Sequence, residues 1–119
     1  MVKNAEGKRF SLAPGITANI LGHGGRLMLV ENTFSKGAIA PSHQHPHEQV
    51  CYIVEGSFEF TLETQKYILE KGDSLYIPSD SIHSGVALED SIILDIFTPA
   101  GRIILSAPGR EIKPEGGKS

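Results

Sequence analysis

No stretch of this chain keeps a helical apolar period for more than a turn or two. Apolar and β-branched runs of roughly four to eight residues recur instead, cut apart by Gly, Pro, Asp and Ser, which is the pattern of short strands. The runs predict strands over Thr17–Leu21, Arg26–Phe34, Gln49–Glu55, Ser57–Glu63, Lys66–Glu70, Ser74–Ile77, Ser81–Ala87 and Ser91–Thr98. "FEFTL" alternates strictly: Phe58, Phe60 and Leu62 share one face, Glu59 and Thr61 the other, as in a half-buried strand. "EGS" at Glu55–Ser57 and "ETQK" at Glu63–Lys66 read as hairpin turns. About eight short strands at even spacing make an all-β sandwich or barrel.

A length of 119 residues suits one domain. At this size roughly two-thirds of the unfolded surface is buried, enough for a sizeable core. The net charge is −3 and no basic block is visible, so nucleic acid is not an expected partner. The longest apolar stretches, such as "SIILDIF" and "VCYIV", fall well short of the ~20 residues that cross a bilayer. "MVKNAEGKRF" has no apolar segment of the secretory kind, and Cys51 has no second cysteine to pair with. The expectation is a cytoplasmic protein with no membrane partner. A single barrel domain over residues 1–107 and a loose polar tail over 108–119, with its Gly and Pro, complete the expected organisation.

Three of the five histidines crowd into "HQHPHEQ", at His43, His45 and His47. On a strand, His43 and His45 share a face about 6–7 Å apart, close enough to converge on one ion with bonds of about 2.0–2.1 Å. Pro46 cannot donate to a central ladder, so the chain turns there, and "EQVCYIVEG" folds back over the same ion. A further histidine, His83, ends "YIPSDSIH" after a strand, a proline and a tight turn. An H-x-H beside one strand and a lone histidine beside a later one point to metal ligation. His23, in "GHGG", has no such partner signal and reads as solvated.

Both segments resemble the two motifs of the cupin superfamily. The first runs Gly37, "AIAPS", His43-Gln44-His45, "PHE", Gln49, "VCYIVE", Gly56; the second runs Gly72, "DSLYI", Pro78-Ser79-Asp80-Ser81-Ile82-His83. The resemblance implies a double-stranded β-helix, the jelly-roll cupin barrel. Asp80 replaces the usual glycine of the second motif; Asp tolerates the left-handed backbone better than most residues. Ala87 stands where an asparagine is often found. Carried over by position, the ligand set is His43, His45, Gln49 and His83, and Gln49 also shares a face with Cys51 and Ile53. His47 and Glu48 are the competing ligands near the Gln49 slot, with His47 read as a rim residue. The set implies one divalent ion, and mixed nitrogen and oxygen donors suit Zn, Ni, Mn, Fe or Cu.

"SIILDIFTPAGR" places Asp95 in a strand that is apolar on both faces. A carboxylate held there is costly unless paired, hydrogen-bonded or protonated, so its pKa should be perturbed toward acid–base use. A salt bridge to Arg102 is the ordinary structural alternative. Phe97 shares parity with Asp95, so both can face a cavity. Arg102 can fork a substrate carboxylate. Tyr52 and Tyr76 are further pocket candidates.

"HQHPHEQ", "YIPSDSIHSG" and "DIFTPAGR" together resemble the pectin-degradation cupins, the unsaturated pyranuronate lyases. The resemblance implies a metal-dependent enzyme that opens and ketonises 4,5-unsaturated uronates, with Asp95 and Arg102 as catalytic residues and a carboxylated sugar as substrate. A metal-dependent dioxygenase and a non-catalytic small-molecule-binding cupin are the alternatives. A homodimer is expected, with two-faced apolar strands such as "SIILDIF" covering the interface.

Overall fold

The computed structural model describes residues 1–98 and the backbone of two short strands, 103–104 and 111–112. After a short 3-10 turn at Asn4–Glu6 come β1 (Lys8–Ala13), β2 (Ile16–Gly24), β3 (Leu27–Phe34), β4 (Ile39–His43), β5 (Glu48–Glu55) and β6 (Ser57–Leu62). β7 (Gln65–Glu70), β8 (Ser74–Ile77), β9 (His83–Ala87), β10 (Ser91–Thr98), β11 (Ile103–Ile104) and β12 (Glu111–Ile112) follow. One sheet has the order β1-β2-β3-β10-β5-β8, the second β4-β9-β6-β7, and β11 pairs with β12. The pairings are antiparallel. The chain is all-β, and the two larger sheets face one another as a jelly-roll barrel.

The core follows from side-chain alternation. Ile93 of β10, Ile53 of β5, Phe58 of β6 and Ile77 of β8 are each almost wholly buried. Phe58 meets Phe34 edge-on at 4.7 Å between ring centres, which ties β6 of one sheet to β3 of the other. No helix among the described residues is long and apolar enough to cross a membrane.

Each of the eight predicted strands is present, within a few residues. β1, β4 and the short pair β11 and β12 are additions. β1 reads "KRFSLA" and lies at a sheet edge, half exposed, so its apolar pattern is faint. β4 contains Pro41, which argues against a strand from sequence alone. "ETQK" is a hairpin turn, since Leu62 of β6 pairs with Gln65 of β7. "EGS" is not, because β5 and β6 lie in different sheets. Gly56, at φ 94°, carries the chain across, and a Cβ there would collide with Ser91 and the Asp90 carbonyl. The expected boundary between residues 107 and 108 lies outside the described residues. Within the expected tail, Glu111–Ile112 pair with Ile103–Ile104.

Candidate metal centre and its cavity

His43 ends β4 and His83 begins β9, and the two face each other in register across the smaller sheet. Their rings are 4.2 Å apart between centres. His45 arrives differently from the strand geometry expected of H-x-H. β4 stops at His43, so His45 stands in the loop that carries the chain to the larger sheet. It still closes on the pair, at 5.5 Å from His43 and 5.0 Å from His83 between ring centres. One nitrogen from each of the three lies within 4.8 Å of the others, a spacing that could hold a metal ion.

Each imidazole is oriented by the backbone. His43 Nδ1 lies 2.8 Å from the Pro41 carbonyl, His45 Nδ1 3.1 Å from that of His47, and His83 Nδ1 2.9 Å from that of Ser81. A carbonyl only accepts, so Nδ1 must carry the proton and Nε2 is left with its lone pair. This is the outer-shell pattern that prepares histidine for a metal. Burial holds His45 down at about 4, helped by the neighbouring His83, His43 and His47, and burial lowers His83 as well. Both rings are therefore neutral at neutral pH, as ligands must be.

The larger sheet supplies the opposite wall. Gln49 of β5, Asp95 and Phe97 of β10 and Asn32 of β3 are buried and line the same cavity of about 100 Å³ as the histidines. The Gln49 amide donates from Nε2 to Asp95 Oδ1 at 3.2 Å and to Cys51 Sγ at 3.2 Å. Its Oε1 is buried with no hydrogen-bond partner among the described residues. A buried amide oxygen without a partner, on a side chain in the wall beside three imidazoles, fits the fourth donor of a cation site.

Asp95 is buried on the inner face of β10. Asn32 Nδ2 donates to its Oδ2, Gln49 Nε2 to its Oδ1, and the Cys51 thiol also hydrogen-bonds to it. Burial raises its pKa to about 6, and the three hydrogen bonds pull the other way. The same surroundings push the Cys51 thiol well up, first through burial and then through the Asp95 charge. Arg102, the other expected catalytic residue, lies outside the described residues.

Three expectations are corrected. Tyr52 and Tyr76 are not pocket residues: they are 43% and 51% exposed, on the outer face of the larger sheet. Alternation forces this, because Cys51 and Ile77 beside them point inward. Glu48 is exposed too and accepts a 3.2 Å hydrogen bond from the Tyr76 hydroxyl, away from the cavity. His47 is not at the rim but buried in the cavity wall, with ring contacts to His45 and Phe97. His23 is exposed, as expected. Asn32 was not singled out by the sequence. Its signal was parity, since it follows Met28 and Val30 on the inner face of "LMLVENTF", a polar residue in an apolar row.

The family model for the cupin domain matches residues 30–97. The pectin degradation protein KdgF of Dickeya dadantii is 39% identical over 90 residues, which are 74% of this chain and 82% of that protein. The structure of KdgF from Halomonas sp. superposes with a TM-score of 0.78 at 40% identity, covering 83% of this chain and 92% of that one. An RmlC-like cupin from Shewanella frigidimarina gives a TM-score of 0.77 at 33% identity, covering 82% and 88%.

Proposed function

This chain belongs to the cupin family, and we propose that it is a metal-dependent enzyme that opens and ketonises 4,5-unsaturated uronate sugars. The observation that carries the proposal is Asp95: a buried carboxyl with a pKa near 6, held only by neutral groups among its described partners, in the wall of the cavity that holds the histidine triad. The similarity to two KdgF proteins, one of them named for pectin degradation, supports the substrate class.

In this reading His43, His45 and His83, through Nε2, and Gln49, through Oε1, would hold one divalent ion (Zn, Ni, Mn or Fe). Four neutral ligands would leave that ion its full charge, which it would supply to the substrate carboxylate and to negative charge developing on the ring oxygen. Asp95 is ionised at neutral pH and takes the proton of the anomeric hydroxyl. The bond between the anomeric carbon and the ring oxygen then breaks, leaving an aldehyde and an enolate. Protonation of the enolate at carbon 4 gives the ketone. The proton removed is replaced, no electrons are gained or lost, and the net change is an isomerisation. Two amides clamping the carboxylate leave some of its roughly four lone-pair directions for the substrate. Phe97 closes the cavity beside the His45 and His47 rings. Arg102 is assigned to the substrate carboxylate.

The test is Asp95→Asn. Turnover of unsaturated uronate should fall by roughly 100- to 10,000-fold while the protein still binds its ion. Unchanged turnover would remove Asp95 from the chemistry. Oxygen consumption by an iron-loaded protein would favour the dioxygenase alternative, and absence of any turnover the binding module.

We also infer a homodimer. Ile96 of β10, Val50 of β5 and Tyr76 of β8 sit in register as an apolar row across three strands, 44%, 39% and 51% exposed. Light scattering at micromolar concentration should give twice the chain mass, and the double change Val50→Glu/Ile96→Glu should halve it. A native monomer would overturn this.

A further inference from the structure

Asn32 is 8% exposed and lines the cavity. Its Nδ2 donates to Asp95 Oδ2. That contact fixes the amide, because an ionised carboxylate only accepts and a half-turn would set oxygen against oxygen. Oδ1 is thereby turned away from Asp95. It is buried and has no hydrogen-bond partner among the described residues. A buried carbonyl left unpaired costs about 1–3 kcal/mol, and such a group needs a reason to persist.

The strand order suggests the reason. β3, β10 and β5 are neighbours in that sequence, so Asn32 and Gln49 flank Asp95 from opposite sides. Each gives its NH2 to the carboxylate and keeps its carbonyl oxygen unpaired. On the Gln49 side lies Phe97, its register partner, whose ring meets that of His45 of the triad. On the Asn32 side the wall continues, among the described residues, into apolar side chains such as Val30 and Phe34.

We propose that Asn32 binds the substrate: its side-chain carbonyl accepts a hydrogen bond from the ring hydroxyl next to the anomeric carbon. This rests on the uronate reading above and deepens it. A uronate ring presents its groups in the same order as the wall. The carboxylate and ring oxygen lie at the triad, the anomeric hydroxyl at Asp95, and the hydroxyl on carbon 2 one step further, at Asn32. A site built to hydrogen-bond a hydroxyl rejects the analogue that lacks it, because a buried polar group is then left bare.

The experiment is a double-mutant cycle between Asn32→Ala and the 2-deoxy analogue of the unsaturated uronate. In the native protein, loss of the carbon-2 hydroxyl should lower kcat/KM by roughly 10- to 100-fold. In Asn32→Ala the same loss should cost less than about threefold, because the partner is already gone. The intrinsic reactivity of the deoxy sugar cancels between the two proteins. A purely structural role, through the clamp on Asp95, would slow both substrates equally and leave the ratio at its native value. That result overturns the proposal. Should Asn32→Ala not fold, the near-isosteric Asn32→Leu takes its place in the same cycle and is read in the same way. Equal losses in the two proteins, or none in the native one, overturn the assignment while the uronate reading stands. Failure to turn over the parent sugar overturns both.

Discussion

Asp95 and His45 are shifted in opposite directions by the same burial, and the metal-free protein should show it. His45 titrates near 4 in the fold and near 6.5 when unfolded. The unfolded chain binds that proton first, so stability is lost as pH falls from 6.5 toward 4. His83 is shifted the same way. The folded Asp95 carboxyl holds its proton up to about 6 and the unfolded one only to 3.8, so its contribution grows as pH falls through that window. Two imidazoles oppose one carboxyl. The Tm of metal-stripped protein should therefore be lower at about pH 5 than at about pH 7. Asp95→Asn removes the opposing group and should steepen the fall. A Tm that rises on acidification would show that Asp95 dominates.

Among the elements, the turn before β9 does as much for the site as the strands. Asp80 holds φ 62°, its N–H donates to the His45 carbonyl at 2.8 Å, and its own carbonyl accepts from Gln44 Nε2 at 3.1 Å. The turn that delivers His83 thus also pins the loop that carries His45. Asp80→Gly keeps the left-handed backbone and should leave metal affinity near its native value. Asp80→Val should cost about 1–2 kcal/mol and weaken metal binding, read as a lower Tm and easier loss of the ion to a chelator. Equal behaviour of the two variants would mean that the turn does not hold the loop. Much of this was legible beforehand. The left-handed position was foreseen from Asp standing in a glycine slot, and parity put Gln49 and Asp95 on inner faces. Parity was also enough to turn Tyr52 outward, but a tyrosine beside a site invites the opposite reading. The role of Gly56 was hidden, because a glycine between two strands looks the same whether the strands pair or part. β4 was hidden by its proline. Asn32 carries only a parity signal, a polar residue in an apolar row, since its hydrogen bond to Asp95, 63 positions away, leaves no local trace.

For the molecule as a whole, the arrangement of donors would make a bound metal ion a fastener. His43 and His83 belong to the smaller sheet, Gln49 to the larger, and His45 to the loop between them. An ion held by all four would join the two sheets at one end of the barrel, while the Phe34–Phe58 contact joins them in the core. An ion that binds the fold and not the unfolded chain adds about 2.7 kcal/mol at a free concentration 100 times its Kd. For a domain of this size that is a rise in Tm of roughly 10 °C. Residual binding by His43 and His45 in the unfolded chain would trim it. Chelation should lower the native Tm by that order, and restoring the ion should recover it. His83→Ala should lose most of the metal-dependent rise while its metal-free Tm stays close to that of native metal-free protein, since it removes a ligand and little of the apolar core. Equal Tm with and without ion in the native protein would mean that the four side chains do not act as one centre, and the ligand assignment would fall with the fastener.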